Sequence, residues 1–421
     1  MKKLFFFIFL LGFSFVFVST QNVDLIDIDF DSIDSIFGEP SAETPAQEET
    51  PKTETVSVVQ SLRRRGLEFD FSYAFRGTVN PGWVDYYPWE QNSSGNFTWA
   101  PAIKMSSAIG INARISDAFR VQSVINFAIP GTFPYISLGN FFFDYNFLDK
   151  VFLRAGKAEQ KWGISTNFSF TNLLSRIPDN GPSGPSYLIR LDVPVGVGGL
   201  QLLAQTRSDI AAGKNLSIDS IGFGGKYNLA LQWADFNFGA FYQKEMATRA
   251  FLSVKTTLWD FEVYNEWLAA FNTHTDKEVS FAFNLGFLRS FINNKLDVNA
   301  EFFYNREGRS LLFKPETDYE LIGTTPFLGG INAAVNLLYR FDGWGNLRLF
   351  TRFLYGDDSF SIVPGIRITP FQNLEIYFAL PMAFGNGYYK TAFKDARNDI
   401  KPFSIMLYVT LSGNVRASYY Y

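Results

Sequence analysis

The sequence predicts an all-β chain: a transmembrane antiparallel up-and-down β-barrel of about 18 strands, with 16 as the alternative count. Three observations predict it. From residue 66 to residue 421 the chain repeats strands of about ten residues with aromatic or aliphatic side chains at alternate positions. Aromatics make up 18% of the chain, with 47 Phe and 20 Tyr, yet the mean hydropathy is only -0.01. The connections between strands alternate between short and long. A helical membrane protein needs spans of roughly 20 apolar residues, and no such run follows the first twenty residues. A barrel dilutes its apolar content by half, because every second side chain faces an aqueous lumen.

The alternation is clearest in Phe281, Phe283, Leu285 and Phe287, which share a face with Ser280, Ala282, Asn284 and Gly286 between them. It recurs in Leu67/Phe69/Phe71/Tyr73/Phe75, in Ile331/Ala333/Val335/Leu337/Tyr339 and in Leu374/Ile376/Phe378/Leu380/Met382. In a soluble sandwich such faces meet in a shared core. The strand number and aromatic load here call for lipid as the solvent of that face.

Residues 1–20 read as a secretory signal peptide. Lys2 and Lys3 form the positive region, residues 4–18 the apolar stretch, and Val18-Ser19-Thr20 a small-residue cleavage site. Residues 21–38 are an acidic amphipathic segment. Ile26, Phe30, Ile33 and Phe37 fall at helical spacing among Asp24, Asp27, Asp29, Asp31 and Asp34. This segment is expected in the periplasm, docked on a partner, tucked into the barrel, or as an unstructured tail. Residues 39–60, rich in Pro, Glu, Thr, Ala and Ser, read as a disordered linker. The barrel domain takes 61–421.

Short connections carry turn residues: Ser116-Asp117, Leu148-Asp149-Lys150, 195–199, 228–234, Trp259-Asp260, Asn293-Asn294, 342–346 and 370–373. Between them lie longer ones, including 78–98, 163–184, 208–219, 272–278, 306–325 and 385–401. Outer-membrane barrels sort their loops this way, with short periplasmic turns and long extracellular loops. The last strand, from Ile405 to Tyr421, places Leu407, Val409, Leu411, Val415, Ala417, Tyr419 and Tyr421 on one side, and its length allows a bend near Gly413. Ending on an aromatic after alternate apolar residues, it resembles the C-terminal signal read by the bacterial barrel-assembly machinery.

The net charge of -4 and pI near 5.3 give no nucleic-acid signal. Without cysteine there is no disulfide, thiolate metal site, cysteine nucleophile or lipidated N-terminal cysteine. The single histidine, His274, lies in a polar loop with no partner spacing for a triad or metal. No phosphate loop or dinucleotide fingerprint occurs, so no catalytic site, cofactor or metal is assigned.

Sending the apolar register to lipid points the intervening side chains inward. The predicted pore lining is Lys104, Arg114, Arg120, Arg154, Arg190, Glu262, Glu266, Asp297, Glu301, Arg340, Arg348, Arg352 and Arg367, with Lys226, Lys255, Asp144, Asp192 and Glu375 beside them. Such charges facing lipid would cost about 2–4 kcal/mol each at the midplane for Arg or Lys. The lining implies a hydrated lumen, and its basic excess suggests weak anion preference. Asn172, Arg176 and Asp179, in the third long connection (163–184), are the candidate constriction residues.

The stretch from Leu153 to Gly163, with Arg154-Ala155-Gly156-Lys157 and Trp162-Gly163, is similar to a strand of several large porin families. From Gly66 to Tyr421 the chain resembles a bacterial outer-membrane porin. Its Phe content and acidic, linker-borne N-terminus resemble spirochaete outer-membrane proteins. The resemblance implies passive diffusion of small hydrophilic solutes, with outer-membrane lipid and the assembly machinery as partners and a homo-oligomer as an option. The acidic constriction pattern of trimeric general porins is missing. Competing readings are a surface adhesin or structural barrel with an occluded lumen, a transporter of hydrophobic substrates, and a barrel hydrolase, which a lone loop histidine disfavours. An energised receptor would need a plug larger than about forty residues.

Overall fold

The computed structural model describes residues 66–84, 95–99, 101–129, 136–148, 150–158, 160, 162–168, 186–206, 221–244, 248–271, 279–305, 321–322, 325–326, 330–343, 346–356, 358–387, 389 and 402–420. The signal, acidic and linker segments assigned to residues 1–60 lie outside them. One antiparallel sheet of 22 segments contains nearly all the described strands. Four of its segments (Gly82–Val84, Asn96–Thr98, Met382–Gly385 and Phe403–Ser404) extend their neighbours, which leaves 18 strands around the ring.

In chain order these are β1 (Gly66–Val79), β2 (Pro101–Arg114), β3 (Phe119–Ile129), β4 (Ile136–Phe147), β5 (Val151–Ala158), β6 (Ser186–Val195), β7 (Gly198–Thr206), β8 (Ile221–Ala230) and β9 (Asp235–Gln243). They continue with β10 (Thr248–Leu258), β11 (Phe261–Phe271), β12 (Val279–Phe291), β13 (Leu296–Asn305), β14 (Gly330–Arg340), β15 (Arg348–Gly356), β16 (Ser359–Phe371), β17 (Leu374–Ala379) and β18 (Met406–Tyr420). Each strand pairs with its sequence neighbours, and β1 pairs with β18 from Gly66↔Tyr420 to Val79↔Leu407. The sheet therefore has no free edge, the condition for a sheet to stand in hydrocarbon.

The two faces differ as the alternation predicts. Outward positions hold exposed large apolar side chains such as Phe69, Phe71, Phe143, Leu252, Trp267 and Val415, and Ile103 is 75% exposed. Inward positions hold Glu266, Asn284, Asn299 and Asn336, all buried. Apolar surface outside and hydrogen-bonded polar groups inside is the reverse of a soluble core, and lipid is the solvent that stabilises it.

The tight turns gather at one end of the ring, the two-residue turn between Gly356 and Ser359 being an exception at the other end. Trp259 and Asp260 both take positive φ (49° and 65°), the mirror-type turn whose twist matches a two-residue hairpin. Ile292, Asn293 and Asn294 do the same at the β12–β13 turn. The chain also enters β1 and leaves β18 at this end.

The length of β18 does not interrupt its pairing at Gly413. β18 keeps its register with β1 throughout, and the ring of Tyr73, the cross-strand partner of Gly413, covers the glycine. A Cβ on Gly413 would lie 2.5 Å from the Tyr73 hydroxyl oxygen. The aromatic fills the gap that would otherwise weaken the strand.

Candidate functional site

The strand register brings a polar patch together on the inner wall of β11 to β14. Tyr264, Gly286 and Glu301 are successive cross-strand partners on β11, β12 and β13. Lacking a side chain, Gly286 lets the Tyr264 ring lie across it, and the Tyr264 hydroxyl donates to Glu301 Oε1 at 2.6 Å. A Cβ at Gly286 would sit 2.1 Å from that ring. Glu266 faces Asn284 in the same way, and Asn299 faces Asn336.

A strap of chain runs along the inner wall, strand by strand, to reach this patch. After β5, Gln160 and Trp162 each donate to Gln201 Oε1 on β7, at 3.1 and 2.6 Å. The Trp162 ring packs on Phe241 of β9 and Phe251 of β10. The Ile164 amide donates to Glu266 Oε1 at 2.6 Å, and the Ser165 hydroxyl bonds the other oxygen of the same carboxylate. Glu301 then accepts from three successive amides: Thr166 at 2.8 Å, Asn167 at 3.0 Å and Phe168 at 2.9 Å. Asn167 donates to Asn299 Oδ1 and accepts from Asn336 Nδ2, each at 2.9 Å. Phe168 stacks on Phe303, with ring centres 5.0 Å apart.

The arrangement has a physical logic. An irregular strap has no ladder to satisfy its amides, so the wall must supply acceptors. A buried carboxylate needs several donors to offset its lost hydration. Each group solves the other's problem: Glu266 is 0% exposed and Glu301 3% exposed, and both are saturated by the strap. Bonds of this charge-assisted kind contribute about 1.5–3 kcal/mol each. The strap is thus held along the inner wall from β7 to β14.

The predicted lining residues divide into paired and open groups. Arg154 holds Asp144 with two bonds, at 2.7 and 3.0 Å, and Arg190 holds Asp192 at 2.8 Å. Lys255 pairs with Glu262 at 2.7 Å, while Arg340 pairs with Asp297 and Arg367 with Glu375. Arg348 is the cross-strand partner of both Arg340 and Arg367, and Arg352 is buried. Lys104 is exposed opposite Arg76 on the neighbouring strand. Arg114 faces Arg120, which bonds only the neutral Asn112 and Gln122. Asn172, Arg176 and Asp179 lie outside the described residues.

The lumen is less polar than the sequence predicts. Trp162, Phe168, Phe241, Phe251, Phe303 and Tyr389 belong to one apolar cluster inside the ring. A second joins Leu338, Phe350, Val363, Tyr377 and Tyr408, with Phe350 stacked on Tyr377 and Tyr377 on Tyr408. Inserted chain excludes water locally, so inward aromatics are stable there. Sequence reasoning missed the strap's anchors, Tyr264, Asn284, Asn299 and Asn336. Their one signal is the asparagine at inward positions of three successive strands. Among the described residues no cluster of acids or histidine could hold a metal ion.

No family model matches the chain, and no curated protein does. Solved structures do. OccK3 (OpdO) of Pseudomonas aeruginosa aligns with a TM-score of 0.55 and 10% identity over 83% of this chain and 96% of its own. OccAB4 of Acinetobacter baumannii aligns with a TM-score of 0.54 and 8% identity over 84% and 99%. OccK11 (OpdR) of P. aeruginosa gives 0.54 and 12% over 84% and 98%. The chain shares their fold. At these identities the likeness extends to the closed 18-stranded barrel.

Proposed function

We propose that this chain is a bacterial outer-membrane porin, a channel through which small hydrophilic solutes diffuse without cofactor or chemical step. The observation that carries this reading is the strap: a closed ring with an apolar outer face has a segment of its own chain pinned inside it, against the inner wall. Such a segment narrows a pore without closing the wall, and selectivity then follows from bore and local charge. The remainder of the connection, with Asn172, Arg176 and Asp179, continues from the pinned part and is assigned to the same constriction. Arg114 and Arg120, together with Lys104, supply a weak anion preference.

The barrel-assembly machinery meets the chain through β18, whose outward Leu407, Val409, Leu411, Val415 and Tyr419 form the apolar side of the signal. The acidic N-terminal segment lies in the periplasm, at the end where the tight turns gather. The spirochaete resemblance rests on Phe content and the acidic N-terminus, and association of several barrels is compatible with the apolar outer face.

Planar-bilayer recordings test the reading. Discrete conductance steps are expected, with a reversal potential in a KCl gradient displaced toward that of chloride. One observation favours a second reading, a structural or adhesive barrel with an occluded lumen: the two aromatic clusters inside the ring. Silent membranes containing correctly folded protein would support that alternative, and solubility without detergent would end both.

A further inference from the structure

At the tight-turn end, β2 to β6 build a cavity of about 510 Å³ whose charged lining is Arg114, Arg120, Arg154 and Arg190 with Asp117, Asp144 and Asp192, an excess of one positive charge. The register makes these residues a continuous ladder: Arg114↔Arg120, Arg120↔Asp144, Asp144↔Arg154 and Arg154↔Arg190. Two rungs are neutralised, since Asp144 holds Arg154 and Asp192 holds Arg190. The first is not. Among the described residues neither Arg114 nor Arg120 pairs with a carboxylate, although they face each other across adjacent strands. Like charges directly opposed repel, so this rung favours an anion between or above the two guanidinium groups.

The same rung lies where the chain enters the barrel, for Gly66 is the cross-strand partner of Arg114. Ahead of Gly66 the sequence holds Asp24, Asp27, Asp29, Asp31 and Asp34, with no Lys or Arg between residues 21 and 38. The intervening residues, treated as a flexible coil, have a root-mean-square reach of roughly 30 Å. A short tether of this kind gives an effective concentration in the millimolar range.

We infer that the acidic segment around Asp24 to Asp34 docks in the cavity at Arg114 and Arg120, making the chain's own N-terminal region the resident anion of the tight-turn mouth. The contact is electrostatic and reversible, and any soluble anion entering from that side competes with it. It does not depend on whether solutes traverse the barrel.

The chain contains no cysteine, so introduced pairs report proximity cleanly. In the full-length protein in detergent, Ser32→Cys is combined with Ala118→Cys at the cavity or, as the control, with Asp260→Cys at the β10–β11 turn. Disulfide formation is followed by gel mobility. The cavity pair is expected to cross-link about tenfold faster than the control, with the advantage lost at high salt or with Arg114→Gln/Arg120→Gln. Heat-modifiable migration verifies that each variant has folded. Charge reversal with Arg114→Glu/Arg120→Glu should abolish the advantage, and Lys at the five Asp positions should restore it. Equal rates for the two pairs, or an advantage unchanged by Arg114→Gln/Arg120→Gln, would overturn the inference. Conductance does not enter this readout, so the docking and the channel reading can fail separately.

Discussion

Replacing Glu301 by Ala should release the strap while leaving the barrel closed. Glu301 accepts from the amides of Thr166, Asn167 and Phe168 and from the hydroxyls of Thr166 and Tyr264, at 2.5–3.0 Å. Its removal leaves three buried amides without their acceptor, at about 1–3 kcal/mol each, of which entering water recovers a part. A net loss of about 3 kcal/mol in strap docking is a factor of roughly 100 in its opening equilibrium. A cysteine at Ile164, in a chain with none of its own, reads that equilibrium through its rate of modification by a polar maleimide. The rate should rise by about that factor in Glu301→Ala, and single-channel steps should widen. Glu301→Gln, which keeps one acceptor oxygen, should fall between. The β13 ladder is untouched, so heat-modifiable migration should be retained. An unchanged labelling rate in a folded Glu301→Ala barrel would refute the claim that this carboxylate holds the strap.

Gly286→Ala should act through Tyr264, since the new methyl occupies the ring's place; it is expected to reproduce the labelling phenotype of Glu301→Ala without removing a charge. Trp162→Ala removes a buried indole packed on Phe241 and Phe251 and should cost about 3–5 kcal/mol, read as a lower denaturant midpoint for loss of the strap's protection. Asp297→Ala strands Arg340 beside a nearly buried site and should lower folding stability by about 3–5 kcal/mol in denaturant titrations in lipid vesicles. Leu252→Arg places a cation on the outer face in the middle of β10 and should weaken folding into bilayers by about 2–4 kcal/mol, a loss that would be absent if that face met water.

The ring itself was legible in the sequence because one physical rule acts at every position: side chains alternate, and lipid tolerates only one kind. The tight turns at Ser116-Asp117 and Trp259-Asp260 could be read for the same local reason. The interior was harder. In β13 the two-residue period sends Phe302 out and Phe303 in beside Glu301, but nothing in the strand's own sequence shows that the inward ring stacks on Phe168 of a distant segment. Glu266 and Glu301 read as charges lining water because their spacing places them inward. Their actual partners are peptide amides more than a hundred residues away, a donor that every residue type except proline carries. Register could be inferred from composition; the path of the strap could not, since backbone groups leave no signature in side-chain identity.

The seam between β1 and β18 sets a condition on how the molecule comes into being. Its two strands are separated by nearly the whole described chain, with Asp70 and Arg416 clasped across it. Until the last residues arrive, every intermediate carries two open edges, each able to capture a stranger or another copy. The wall becomes safe only at the final pairing, all at once. Because beginning and end meet side by side at that join, the order in which the staves are made is a matter of history, and a chain reopened within a distant loop and spliced across the seam should still close into the same ring.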